Sequence, residues 1–249
     1  MTSDDFSEWY ERWFDEDYLA LYAHRDVKEA QEFVNVLWAA LELRPGISVA
    51  DVPCGAGRHS LMFAQKGARV VGVDLSSIML ERAAEEAESY AAEPLFVRGD
   101  IRKIPLAGEF DVVANIFSSL GYFDTEADNH TAFRELVRIL APGGVLIVDV
   151  INPRYLLSNF VAETRRETRD GEMMERRELD PERKRVVKHI EIQHGNVVRK
   201  IHESVRLYDL QELESMAGMY GLKAIETWGD YDGTPFLPQS PRLIFFARK

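Results

Sequence analysis

Apolar and polar positions follow three rhythms along the chain. Over the first forty-odd residues Trp9, Trp13, Phe14, Leu21, Phe33, Val34, Leu37 and Trp38 fall at helical spacing, and Pro45-Gly46 closes the region. From residue 47 short apolar runs alternate with amphipathic stretches. Residues 47–52, 69–74, 95–97, 110–117 and 145–151 read as strands, and residues 58–65, 76–91 and 126–140 as helices. Runs that are apolar along most of their length suit strands buried on both faces. Such alternation predicts a mostly parallel sheet with helices on both sides.

After Asn152 the pattern changes. Residues 172–179, 184–193 and 197–208 alternate apolar with charged positions, separated by Asp180-Pro181-Glu182 and His194-Gly195-Asn196. This predicts antiparallel hairpins with one face in water. Residues 210–220 return to helical spacing and stop at Gly221; residues 223–229 and 242–247 read as two closing strands. The expected architecture is α/β, with a mostly parallel seven-stranded sheet of the Rossmann-like kind and an antiparallel β insertion after its fifth strand. Its parts are an N-terminal helical lid (1–44), a core (45–152), the insertion as substrate cap or dimer contact (153–209), and a C-terminal helix with two strands (210–249).

Composition narrows the function. A chain of 249 residues that is 46% hydrophobic buries a sizeable core. The formal net charge of -12 repels phosphate backbones, so nucleic acid is a poor partner. Cys54 is the sole cysteine, and no Cys/His spacing suits a metal. No basic segment followed by an apolar stretch opens the sequence, and residues 145–151 are too short to span a bilayer. These features lead to the expectation of a cytoplasmic protein, monomer or homodimer, with a small-molecule partner and neither membrane nor metal.

The chemistry concentrates at strand ends. Val49-Ala50-Asp51-Val52-Pro53-Cys54-Gly55-Ala56-Gly57-Arg58 is a buried strand, a glycine-edged turn and a helix start, where a ligand can press against backbone N–H groups. The bland reading is a tight connection. Asp74 ends the next strand, where a carboxylate can accept bonds from ribose hydroxyls; an exposed strand-end acid is the alternative. Asp100 and Ile101 follow the third strand, suited to an adenine amino group and ring. Asn115 and Ile116 close the fourth. All four places lie where open α/β sheets bind ligands.

With these motifs the chain resembles class I S-adenosylmethionine-dependent methyltransferases. Asp51 to Gly57 is similar to their first motif, Asp74 to the ribose acid and Asp100 to the adenine acid. Phe117-Ser118-Ser119-Leu120-Gly121-Tyr122 resembles the fourth-strand motif of amino-sugar N-methyltransferases, and glycine N-methyltransferases share the insertion. The resemblance implies S-adenosylmethionine as cofactor, S-adenosylhomocysteine as product, and methyl transfer to a small-molecule N or O nucleophile by in-line displacement. It also implies that Tyr18 and Tyr22 close over the cofactor and that Arg25 pairs with its carboxylate. Pro53, Cys54, Gly55, Gly57, Leu75 and Ile116 would line its path.

Where amino-sugar enzymes carry a histidine, this chain has Tyr122, a weak base, so sugar methylation is in doubt. Tyr122 and Tyr18 are the catalytic candidates, with His24 nearby. The insertion, the lid and residues 230–236 are expected to wall the acceptor pocket, with Asp230 or Asp232 either holding a cationic acceptor there or capping a loop. Cys54 reads as a packed small residue, and His59 as a surface or structural histidine. A nicotinamide-dependent oxidoreductase is the rival, but the third glycine is absent because His59 and Ser60 follow Arg58. A non-catalytic cofactor-binding protein is the other alternative.

Overall fold

Side chains that alternate between two apolar layers set the sheet. β1 (Ser48–Asp51), β2 (Arg69–Asp74), β3 (Leu95–Arg98), β4 (Phe110–Asn115) and β5 (Leu140–Ile151) pair in parallel. The structure is a computed structural model that describes residues 8–21, 27–90, 93–168, 171–195 and 197–249. Val49, Val112 and Ile147 face one layer with Phe33, Leu37, Leu61 and Phe63; Ala50, Val113, Leu146 and Val148 face the other, with Phe133, Leu136, Leu213 and Met216. The period of two along each strand is what a doubly covered sheet requires.

The covering helices are α3 (Val27–Ala40) and α4 (Arg58–Gln65) on one face, and α6 (Glu126–Arg138) and α8 (Leu210–Met219) on the other. α1 (Tyr10–Trp13) and α2 (Glu16–Leu21) precede them, and α5 (Ser77–Ser89) joins β2 to β3. Helix starts are marked by side-chain caps: Ser76 Oγ accepts from Met79 N (3.2 Å), and Asp209 and Glu212 form a capping box on α8.

The sheet is completed by β10 (Lys223–Trp228) and β11 (Arg242–Arg248), both antiparallel, in the order β10-β11-β5-β4-β1-β2-β3. A second sheet, β6 (Glu163–Thr168), β7 (Gly171–Asp180), β8 (Arg185–His194) and β9 (Val197–Arg206), is antiparallel throughout and follows a short helix, α7 (Pro153–Ser158). Seven strands and the insertion after the fifth agree with the sequence. Among the described residues no helix is long and apolar enough to cross a membrane.

Three local expectations change. Residues 140–144 extend β5 rather than ending a helix and turning, because Leu140 pairs with Phe110, and Gly143 N and Gly144 O bond to Lys249 O and N. β6 reads Glu-Thr-Arg-Arg-Glu-Thr, with no apolar alternation to betray it, and forms by pairing against β7. The insertion is not wet along a whole face. Met173, Val186, Ile190 and Val205 pack under Trp9 and Trp13, while on the opposite face Arg185 is also buried.

Arg185 explains that second burial. Its Nη1 donates to Phe123 O (2.8 Å), its Nη2 to Gly121 O (3.1 Å) and Ser204 O (2.7 Å), and its Nε to Ser204 Oγ (2.7 Å). Neutral oxygens thus satisfy a buried guanidinium and pin residues 121–123 to β8 and β9. Burial lowers its pKa, opposed by Asp124. Arg185→Met removes these donors and strands the carbonyls. It is expected to lower the unfolding free energy by about 3 kcal/mol, read as a drop in the urea midpoint.

Candidate active site

At the carboxyl ends of β1, β2, β3 and β4 the chain encloses a cavity of about 660 Å³. Its floor is the turn from β1 to α4, with Pro53, Cys54 and Gly55. Asp74 and Leu75 line it from β2, Asp100 and Ile101 from β3, and Ile116 from β4. Tyr10, Phe14 and Tyr18 close it from α1 and α2, and Tyr122 and Phe123 from the loop before α6. Tyr22, His24 and Arg25 lie outside the described residues.

The two glycines of the turn do different work. Gly55 (φ +54°) has nothing within 4 Å of where a Cβ would stand, so its backbone faces open space at the cavity. Its N–H is donated to Asp74 Oδ2 (2.8 Å). Gly57 (φ +77°) is not a cavity residue. A Cβ there would meet Ala83 Cβ at 2.8 Å and the Phe96 ring at 2.9 Å, so the missing side chain lets α4 and α5 approach.

Asp74 is 8% exposed and also accepts from Ser76 N (2.9 Å), which leaves acceptor capacity at the cavity wall. Burial pushes its carboxyl up, against the bonds from Ser76 and Gly55. Asp100 is likewise buried in part, but Arg102 outweighs burial and holds it low. The guanidinium donates through Nε to Oδ1 (3.1 Å) and through Nη2 to Oδ2 (2.6 Å), while lying over the Phe123 ring at 4.6 Å.

Asn115 does not reach the cavity. It is fully buried, and its Nδ2 donates to Val52 O (2.7 Å), tying the ends of β1 and β4 together. Nor do Asp230, Asp232 or any described residue of 153–209 line it, so the expected walls from the insertion and from residues 230–236 are not found there. Cys54 is packed, with its sulfur 2.9 Å from where a Gly72 Cβ would lie. Burial pushes its thiol well above the ordinary value, so it is no nucleophile.

Residues 49–144 match the family described as methyltransferase domain. A putative methyltransferase, YqeM of Bacillus subtilis (strain 168), is 28% identical over 85% of this chain and 88% of its own. A dTDP-4-amino-2,3,4,6-tetradeoxy-D-glucose N,N-dimethyltransferase of Saccharopolyspora spinosa is 34% identical over 49% of this chain and 46% of its own. In fold the chain is similar to an S-adenosylmethionine-dependent methyltransferase from Clostridium acetobutylicum, with a TM-score of 0.77 at 19% identity over 92% of this chain and 94% of that one. Residues 49–144 are thus a methyltransferase domain.

The cavity wall after β4 is held in an uncommon backbone shape. Phe117 (φ +76°) and Ser118 (φ +62°) both occupy the left-handed region, which non-glycine residues adopt at a cost. Asp149, wholly buried at the end of β5, secures them: Oδ2 accepts from Phe117 N (2.8 Å) and Tyr231 Oη (2.9 Å), and its backbone oxygen accepts from Ser118 N (2.8 Å). Arg242 donates to Asp149 Oδ1 through Nε (2.8 Å) and Nη2 (2.6 Å), and Nη2 also donates to Ser118 Oγ (2.8 Å). Residues 230–236 therefore reach the site through Tyr231, as support rather than as wall.

Arg58, His59, Phe14, Phe117 and Phe123 line the cavity without having been singled out by their sequence pattern as pocket residues. Arg58 and His59 directly follow the glycine turn, and that adjacency was the available signal. His59 is buried, and desolvation first, then Arg58, drives its pKa well below the ordinary value, leaving a neutral ring.

Beneath the turn Asp51 is 1% exposed and accepts from Ser60 Oγ (2.6 Å). Burial pushes its carboxyl from 3.8 up to about 7. The folded protein therefore holds this proton more tightly than the unfolded chain does. The associated stability is complete below pH 3.8 and is lost as pH rises through about 7. Relative to Asp51→Asn, the wild type is expected to lose stability between these values, by at most about 1.4 kcal/mol per pH unit. Urea midpoints of both proteins at pH 4.5 and 7.5 measure this, and equal differences at the two pH values would contradict it. Gly57→Ala is expected to destabilise by about 1–3 kcal/mol in thermal unfolding.

Proposed function

We propose that the protein transfers the methyl group of S-adenosylmethionine to a neutral amine nitrogen on a small molecule held against the aromatic side of the cavity. The observation that carries this reading is the composition of that side. Tyr10, Phe14, Tyr18, Tyr122 and Phe123 line it, with Phe14 and Tyr122 stacked at 5.9 Å and Phe14 edge-on to Tyr18 at 4.8 Å. Aromatic faces stabilise the positive charge that starts on the donor's sulfonium and ends on the methylated ammonium. Amine methylation on an amino sugar, named for the Saccharopolyspora spinosa relative, is consistent with this chemistry.

The residues present fit the cofactor. Asp74 would take the ribose hydroxyls, Asp100 the adenine amino group, and Ile101 and Ile116 would pack on the adenosine, with Pro53, Cys54, Gly55 and Leu75 along its path and Tyr18 over it. When bound, S-adenosylmethionine supplies an electrophilic methyl group. The protein's task is then to orient the acceptor in line with that methyl and to exclude water, effects worth about 7–11 kcal/mol when complete.

A neutral amine attacks without prior deprotonation, whereas a hydroxyl needs a base. Three of the cavity's titratable groups suit the first case. Burial first, then neighbouring acids, pushes the Tyr10 hydroxyl up to about 12 and the Cys54 thiol upward, and Asp100 is bound by Arg102. Tyr122 then serves to shape the acceptor site and to orient the amine, in place of a strong base. The lid role of the N-terminal helices and the cap role of the insertion belong to the same proposal.

Calorimetric titration with S-adenosylhomocysteine and with NADH tests the cofactor. Binding of the first and not the second is expected; the reverse would make the oxidoreductase the better reading. Asp74→Asn is expected to weaken S-adenosylhomocysteine at least tenfold, about 1.4 kcal/mol. Turnover of S-adenosylmethionine with a panel of amino-sugar nucleotides, amino acids and matched hydroxy analogues tests the acceptor. Activity on the hydroxy compounds alone would refute amine transfer, and tight cofactor binding with no turnover on any of them would favour the non-catalytic reading.

A further inference from the structure

Although no described side chain of the antiparallel sheet lines the cavity, that sheet grips the segment that does. Trp9 and Trp13 sit on its apolar face. Beside this seat, Arg199 of β9 ion-pairs with Asp15 through Nη2 (2.6 Å), pairs with Asp17 through Nη1, and donates to Arg12 O (3.0 Å). Four residues further along the same face of β9, Glu203 accepts from Trp13 Nε1 and pairs with Lys188 Nζ (2.7 Å).

These links converge on the turn between α1 and α2. Asp15 shapes that turn from within, since its Oδ1 accepts from Asp17 N (3.0 Å) and opens α2. Phe14 and Tyr18, on either side of Asp15, line the cavity. The same turn is bonded to the other wall: Phe14 O accepts from Ser76 Oγ (2.6 Å), and Ser76 N donates to Asp74 Oδ1 (2.9 Å). A continuous polar path thus runs from Arg199 through Asp15 and Phe14 to Ser76 and Asp74. Surface ion pairs contribute little to stability, but this arginine is only 31% exposed at its side chain and its two acids 25% and 28%.

We propose that Arg199 and Glu203 are positioning residues for cofactor binding: by holding the α1–α2 turn, the inserted sheet keeps Phe14 and Tyr18 closed against the Asp74 end of the cavity. The inference rests on the cavity being the S-adenosylmethionine site. It assigns to the insertion a role in cofactor retention, separate from any contact with the acceptor.

The test compares the full-length wild type with Arg199→Ala, Arg199→Lys, Glu203→Gln and a control, Arg165→Ala, whose side chain is 60% exposed on β6. Affinity for S-adenosylhomocysteine is read by calorimetry, and opening of residues 15–21 by amide hydrogen exchange. Arg199→Ala is expected to weaken binding tenfold or more and to speed exchange in 15–21, with Arg199→Lys recovering part of both. Glu203→Gln keeps the acceptor for Trp13 but loses the Lys188 pair, and is expected to fall between Arg199→Ala and the wild type. The control is expected to match the wild type. Faster exchange with affinity within twofold of the wild type would overturn the proposal, as would equal losses in the control. A wild type that does not bind S-adenosylhomocysteine would instead sink the reading of the cavity, and this inference with it.

Discussion

A glycine amide at the end of β1 donates to the carboxylate at the end of β2, and the geometry of the site follows from that bond. Gly55 offers its N–H because its left-handed turn points the backbone at the neighbouring strand, and Asp74 receives it because β1 and β2 run parallel in register, Asp51 opposite Gly72. With Asp74 fixed from one side by Gly55 and from the other by Ser76, the carboxylate is placed by the chain's own amides. Preorganised acceptors of this kind spare the cost of ordering at binding.

Cations perform most of the remaining positioning, and none of them works by exposed salt bridges. Arg185 binds carbonyls behind residues 121–123, Arg242 neutralises Asp149 beneath residues 117–118, and Arg102 clamps Asp100. Each supports a different stretch of the cavity from outside it. Burying a guanidinium is costly unless its fan of donors is satisfied, and at these three places main-chain oxygens or carboxylates satisfy it. Arginine is suited to this because one planar group can hold several loop carbonyls at once.

The sheet was legible in the sequence because its strands are apolar on both faces and its helices on one, so two periods separate cleanly along residues 47–151. Asp74, Asp100, Ile101 and Ile116 were legible for the same reason: in a parallel sheet the strand ends share one edge. What failed was discrimination between neighbours. Gly55 and Gly57 look alike in the chain, yet one faces the cavity and the other makes room for Ala83 and Phe96. Asn115 precedes Ile116, but strand alternation turns it toward Val52. β6 left no apolar trace because its pairing is backbone to backbone among charged side chains, and nothing local marks Arg185 and Arg242 as braces because burial by tertiary packing has no local period.

The left-handed pair Phe117 and Ser118 marks a division of labour with a consequence for diversification. The aromatic wall of the cavity comes from short stretches, residues 10–18 and 117–123, while the groups that hold them stand on β5, β8, β9 and β11. A ring can therefore be exchanged at Phe14, Tyr122 or Phe123 without disturbing the bonds that fix its backbone. New acceptors are then reached by repainting a wall on an unchanged frame, whereas losing one bracing arginine moves a whole wall at once.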